Sequence, residues 1–214
     1  MRLFDRAALA QMLKNGLDGL QLDLNQAQQE QLLDYLALLN KWNAVYNLTS
    51  VRDPMQMLTL HLLDSLAAVA AFEGAQNVLD VGAGGGLPGI VLAIARPDMK
   101  VSMIDTVHKK TAFLTQVKAE LKLANVTVYT KKVQELEVKQ AFDVITSRAF
   151  ADLSDFVNWS GHLLGEGGRF IALKGTAPAE ERERLPEPWQ VRELRALQVP
   201  GLDAERHLVF IGKA

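Results

Sequence analysis

The sequence predicts an α/β fold: a doubly wound, mostly parallel sheet with helices on both faces, behind an N-terminal region that is helical only. Three observations carry this. Residues 5–72 show helical spacing alone, whereas from Asn77 onward short apolar runs alternate with amphipathic stretches, the pattern of a parallel sheet with crossover helices. The first apolar run ends in Gly82-Ala-Gly-Gly-Gly-Leu-Pro-Gly89, which places five of the fifteen glycines in eight positions between a strand and a helix. The last two runs, 190–199 and 206–212, follow one another with no helix between them.

In the helical region, Leu32, Leu33, Leu36 and Leu39 recur with a 3.6-residue period, and Asn25 reads as the cap before them. Gly16 and Gly19 are expected to break the first helix from the second. Asp53-Pro54 reads as the N-cap and first position of a third helix. The strand at 78–81 then leads to a helix at 87–95, ended by Arg96-Pro97. A strand at 100–105, a long helix at 108–123 and a strand at 126–130 follow. A strand at 143–147, a helix at 153–164 closed by Gly165 and a strand at 169–173 complete the alternation. The chain divides into a helical region, 1–73, packed on a sheet domain, 74–214.

Composition narrows the function. A net charge of −2 over 214 residues leaves no global basic footprint, so any nucleic-acid contact must use a local patch. The absence of cysteine excludes disulfides, thiolate metal sites and a Cys nucleophile. The N-terminal residues carry an acid where a signal peptide keeps an apolar core. The most apolar helix, 58–72, is interrupted by His61 and Asp64 and reads as too short to span a bilayer. A soluble, cytoplasmic protein with no membrane and no metal is the expectation.

The glycine loop points to an adenosine-containing ligand. Gly82, Gly84 and Gly86 let the chain turn sharply and let a ligand touch bare backbone. Asp105, 23 positions after Gly82 and at the end of the second strand, suits the two hydroxyls of a ribose. Gly84, Gly86 and Gly89 match the dinucleotide spacing, whereas Asp80 with Gly82, Gly84 and Gly86 matches D-x-G-x-G-x-G. A carboxylate at Asp80 would repel a pyrophosphate but suits the cationic amino-acid end of S-adenosylmethionine. Pro88 removes an N–H where a phosphate would want one. S-adenosylmethionine is therefore favoured over NAD, with a structural cap as the other role for Asp80.

Several stretches resemble the bacterial small-subunit ribosomal RNA methyltransferase G family, also called glucose-inhibited division protein B. They are Lys41-Trp-Asn-Ala-Val-Tyr-Asn-Leu-Thr-Ser-Val-Arg-Asp53, His61-Leu-Leu-Asp-Ser65, the 79–89 loop, Ile145-Thr-Ser-Arg-Ala-Phe150, Ala172-Leu-Lys-Gly175 and Gln198-Val-Pro-Gly-Leu-Asp-Ala-Glu-Arg-His-Leu208. The resemblance spans nearly the whole chain. It implies a Rossmann-like, seven-stranded class I S-adenosylmethionine-dependent methyltransferase fold and methylation of guanine N7 at position 527, in the 530 loop of 16S rRNA. It implies cofactor contacts at Gly82, Leu87, Val133, Gln134 and Arg148. Two positions depart from the pattern: this loop reads Gly-Ala-Gly-Gly-Gly where many relatives have Gly-Thr-Gly-Pro-Gly, and Gln134 stands where an acid is common.

The residues themselves fit that chemistry mainly by what they lack. Guanine N7 has a lone pair and no proton, so its methylation needs orientation rather than a general base. No Asn/Asp-Pro-Pro-aromatic stretch follows the fourth strand, which removes the pattern suited to an exocyclic amine. Arg148 is the first candidate, to hold a cofactor carboxylate or guanine O6, with a structural salt bridge as the alternative. Lys174 is the second, facing RNA or lowering the pKa of a ribose 2′-hydroxyl, with a solvated surface lysine as the alternative. Phe150 reads as core or as a base-stacking ring. Lys41, Arg52, His61, Lys109, Lys110, Arg206 and His207 are the candidate RNA contacts, beside Lys118, Lys122, Lys131 and Lys132. Trp42 and Tyr46 read as packing, and 180–184 as an exposed helix. The expected partner is 16S rRNA, a small ribosomal subunit or its assembly intermediate, and the expected state is a monomer. An NAD-dependent oxidoreductase and a 2′-hydroxyl methyltransferase are the competing readings.

Overall fold

The structure is a computed structural model that describes residues 4–148, 150 and 152–214, so Ala149 of the Ser147–Phe150 stretch and the first three residues lie outside the described residues. Seven strands, β1 (Asn77–Val81), β2 (Lys100–Asp105), β3 (Val126–Thr130), β4 (Phe142–Arg148), β5 (Leu164–Lys174), β6 (Trp189–Ala196) and β7 (His207–Lys213), form one sheet. Their order is β3-β2-β1-β4-β5-β7-β6. Pairings from β3 to β5 are parallel, while β7 runs antiparallel to both β5 and β6. The order reverses between β1 and β4, and ligands of such sheets bind in the crevice beyond the strand ends at that point.

The helical region begins with α1 (Arg6–Leu20), whose N-cap Asp5 accepts from the Ala8 amide. It does not break at Gly16 or Gly19, as the sequence led us to expect. It runs through both and stops at Gln21, which is left-handed at φ 53°. The glycines serve close approach instead: a Cβ on Gly16 would lie 2.4 Å from Leu63 Cδ2, and one on Gly19 3.1 Å from Pro200. In α2 (Gln26–Tyr46), Asn25 and Gln28 make a reciprocal capping box. Gln28 Nε2 donates to the carbonyls of Ile94 and Ala95, and Gln31 Nε2 to that of Leu121. Those carbonyls close the ends of α5 (Gly89–Ala95) and α6 (His108–Glu120), so α2 satisfies both helix C-termini it crosses. Leu13, Tyr35, Leu36 and Leu39 share one core with Ile90, Met103 and Phe113, which joins the helical region to one face of the sheet. A second core, with Leu79, Ile145, Phe156 and Phe170, covers the other face under α7 (Leu153–Ser160).

The apolar segment after Asp53 is composite. α3 (Pro54–Met57) passes into a π-helical stretch, Leu58–Leu63, then α4 (Asp64–Leu66) and a 3₁₀ turn, Val69–Phe72. Together they make 19 residues from Pro54 to Phe72, long and apolar enough by composition to cross a membrane. The sequence reading, starting at Leu58, placed this segment below that length. In the fold 72% of its most apolar window is buried inside the protein. Elsewhere the element ends shift for identifiable reasons. Lys122 at φ 55° stops α6 before residue 123. Leu164 belongs to β5 rather than to the preceding helix, because it pairs with Phe142.

Candidate active site

The glycine loop sits at the carboxyl end of β1. Gly82 adopts φ 69°, its N–H donates to the Ile104 carbonyl at 2.9 Å, and a Cβ there would meet nothing within 4 Å. It opens on a cavity of about 370 Å³ lined by Gly82, Asp105, Val133, Gln134, Phe150 and Trp159 among others. Gly86 faces the other way: at φ 91°, a Cβ would lie 2.5 Å from Ile90. Leu87 is buried in the shared core. Tyr35 of α2 is fully buried, and its hydroxyl donates to the Gly85 carbonyl at 2.6 Å, tying the loop to the helical region. Sequence reasoning missed that bond; the only signal was a tyrosine in an apolar stripe.

Two carboxylates brace the loop. Asp105 Oδ2 accepts from the Gly84 amide at 3.0 Å and Oδ1 from the Val107 amide at 2.9 Å, with Lys110 Nζ 3.5 Å from Oδ2. Asp105 lines the cavity and each oxygen retains a second lone pair. Asp80 is different. It is completely buried, Oδ2 accepts from the Gly89 amide at 2.8 Å, and burial pushes its carboxyl up to about 7. The structure places Asp80 beneath the loop, at the start of α5, and not among the residues lining the cavity. Its Oδ1 is buried without a hydrogen-bond partner among the described residues. Bare glycine backbone on one wall, a carboxylate at the end of β2 and an apolar floor of Ile104 and Val133 fit an adenosine cofactor.

A second cavity, of about 410 Å³, is lined by His61, Asp64, Arg148, Lys174, Arg206 and His207 among others. Five sequence-predicted residues from distant segments therefore converge on one space. Arg148 Nη1 donates to the Leu60 carbonyl at 2.9 Å and to Asp64 Oδ2 at 3.2 Å. Arg206 Nε donates to Asp64 Oδ1 at 2.8 Å. Lys174 is not a free cation, as its surface reading required. Its Nζ donates to both Glu181 oxygens, at 3.0 and 2.7 Å, and to the Phe150 carbonyl at 3.0 Å. Glu181 lies on α8 (Ala179–Glu183), so the exposed helix expected at 180–184 also anchors the site. Its Oε2 additionally accepts from the Leu153 amide at the start of α7.

His61 Nδ1 faces Arg148 Nη2 at 3.5 Å. A guanidinium can only donate, so the ring proton belongs on Nε2, 2.9 Å from Thr49 Oγ1. Burial, helped by Arg148, pushes the imidazole down to about 4. Between the ordinary value of 6.5 and about 4, the unfolded chain binds a proton that native His61 refuses. Native stability therefore falls with pH across that window, by about 3 kcal/mol at its lower end. A His61→Gln variant is expected to lose this dependence. Urea unfolding of both proteins at pH about 7 and about 4.5 checks it, and parallel pH responses would refute it.

The other basic candidates are dispersed. Lys41 and Lys109 are exposed, whereas Lys110 pairs with Asp105. Arg52 donates to the Asn43 carbonyl at 2.8 Å and to the Asn47 side chain, so it closes the end of α2. His207 Nδ1 donates to the Gly175 carbonyl at 2.8 Å. Lys131 and Lys132 line the first cavity. Trp42 packs 5.0 Å from Tyr46 and 5.5 Å from Phe113. Phe150 packs 5.4 Å from Phe156 while lining the first cavity. Among the described residues, no group of three or more His, Asp or Glu is placed to hold a metal ion.

Residues 28–209 match the GidB family, described as rRNA small subunit methyltransferase G. The chain is similar to the ribosomal RNA small subunit methyltransferase G of Janthinobacterium sp. (strain Marseille), at 69% identity over 99% of this chain and 98% of that protein. It is also similar to that of Burkholderia lata, at 56% identity over 97% of this chain and 93% of that one. In fold it resembles the O-methyltransferase from Bacillus cereus solved in complex with SAH, with a TM-score of 0.57 and 19% identity over 85% of this chain and 91% of that one. The sheet, the glycine loop at the end of β1 and the acid at the end of β2 are the architecture of class I methyltransferases. The chain thus belongs to the rRNA small subunit methyltransferase G family, S-adenosylmethionine-dependent enzymes of small-subunit ribosomal RNA.

Proposed function

We propose that the chain methylates N7 of guanine 527 in the 530 loop of 16S rRNA. The observation that carries this reading is a cofactor-sized cavity linked through the Lys174–Phe150 bond to a second one, whose arginines can orient a base that has no proton to lose. His61 is held neutral with Nδ1 turned to Arg148, Asp64 is engaged by two arginines, and Lys174 is engaged by Glu181. Attack by N7 needs none of them as a base, because N7 carries no proton. A ribose 2′-hydroxyl would need one, and the pairing of Lys174 argues against that route.

S-adenosylmethionine supplies a methyl group activated on a sulfonium. Gly82 and Gly84 leave room for it, Asp105 would accept from its ribose hydroxyls, and Val133 and Gln134 would flank its adenine. In this reading Gly86, Leu87 and Asp80 shape the loop from beneath, and Arg148 and Arg206 face the base. Residues 74–214 act as the catalytic domain with 1–73 packed on it, as a cytoplasmic monomer whose exposed Lys41 and Lys109 meet RNA phosphates.

The test uses labelled S-adenosylmethionine and small subunits from cells lacking the modification, with strand cleavage specific for 7-methylguanosine. One labelled site in the 530 loop is expected. Label at another nucleotide, or at a ribose, would overturn the position while leaving the family intact.

A further inference from the structure

The motif His61-Leu-Leu-Asp-Ser65 contains an acid that the reading above leaves without a task. Asp64 is buried, with 4% of its surface exposed, and is shared by two arginines that approach from β4 and from the loop before β7. It directly follows the π-helical stretch Leu58–Leu63. π-turns are rare and cluster at functional sites. Here the stretch presents the Leu60 carbonyl to Arg148 Nη1 at 2.9 Å, so Arg148 has a second anchor besides Asp64. Arg206 has less: among the described residues its guanidinium reaches, apart from Asp64 Oδ1, only the carbonyl of its own neighbour, Glu205. Its Nη2 has no protein partner among the described residues, and the side chain is a quarter exposed to the cavity.

Buried ion pairs are weak contributors to stability, because desolvation offsets much of their attraction. An arrangement with two arginines on one carboxylate is better explained by what it orients. We propose that Asp64 is a positioning residue for methyl transfer, fixing the plane of Arg206 so that its free Nη2 donates to the target base in this cavity. This rests on the base-methylation reading above. Guanine O6 lies beside N7 and accepts such a bond. N7 gives its lone pair to the methyl carbon as the methyl–sulfur bond breaks with its electrons left on sulfur. S-adenosylhomocysteine departs as a neutral thioether and no proton is lost, so the methylated base ends as the cation. The Asp64 charge then offsets one of the two arginines beside it. Small displacements of a positioning group cost turnover steeply, about 100-fold per ångström in unfavourable cases.

The experiment measures kcat and KM for methyl transfer to unmodified small subunits, with S-adenosylhomocysteine affinity by calorimetry and thermal midpoints alongside. Asp64→Asn is expected to lower kcat about 10- to 100-fold, with S-adenosylhomocysteine affinity within about 3-fold of the parent. Asp64→Glu, which keeps the charge, is expected to recover part of the loss. Arg206→Gln is expected to match the loss, and the double variant Asp64→Asn/Arg206→Gln to lose no more than Arg206→Gln alone. Kinetics within about 2-fold of the parent in Asp64→Asn would overturn the proposal. So would a double variant that falls a further tenfold below Arg206→Gln, which remains decisive if Asp64→Asn alone does not fold. These comparisons are ratios to the parent enzyme. A parent that labels the wrong nucleotide overturns the functional reading instead.

Discussion

Gly89→Ala is expected to destabilise the protein by about 1–3 kcal/mol and to lower its thermal midpoint by several degrees. The backbone is not the obstacle: Gly89 is the first residue of α5, a position alanine favours. Space is. A Cβ at Gly89 would lie 2.7 Å from Asp80 Oδ2 and 2.7 Å from both Cγ and Sδ of Met103. Both neighbours are fully buried, and Oδ2 is held in place at 2.8 Å by the Gly89 amide itself. Retreat of the carboxylate would break the bond that seats the helix under the glycine loop. Urea unfolding reads the stability, and calorimetry with S-adenosylhomocysteine reads the loop; a midpoint equal to the parent's would show that Met103 repacks without strain.

Asp105→Ala is expected to weaken S-adenosylhomocysteine binding about 10- to 100-fold. In the proposed reading, removing the carboxylate takes away the acceptor for the ribose hydroxyls, and it also leaves the Gly84 and Val107 amides without theirs. Lys110 loses its partner as well, which places an unpaired cation beside the cavity. The second effect separates this variant from simple loss of a ligand contact. Asp105→Asn, which keeps an acceptor oxygen, is expected to retain more stability than Asp105→Ala while still losing affinity. Parent-like affinity in both variants would show that the ribose lies elsewhere in the cavity.

Much of the fold was legible because local chemistry and tertiary packing agree. The N-caps at Asn25 and Asp53 and the strand from Lys100 to Asp105 each follow from side chains within a few residues of one another. The alternation from Asn77 onward carried the sheet. Glycine misled where its purpose was proximity rather than freedom. Gly16 and Gly19 look like breaks, yet α1 passes through them because Leu63 and Pro200 press against that face.

The sequence by itself determined the glycine-loop cavity. Glycine loop, strand end and acid lie within about thirty residues, close enough for spacing to encode geometry. Only the tertiary structure decided the second cavity, because its partners are far apart along the chain. Arg148 and Arg206 meet at Asp64, Lys174 is claimed by Glu181, and Tyr35 holds the Gly85 carbonyl. The same uncertainty applied to Asp80, whose carboxylate spacing alone could assign to a ligand or to a helix. A charged side chain reads identically in sequence whether it faces solvent, a ligand or a buried partner. What separates those cases is desolvation and the direction of the bonds it makes, and both are set by the packing of the helical region on the sheet.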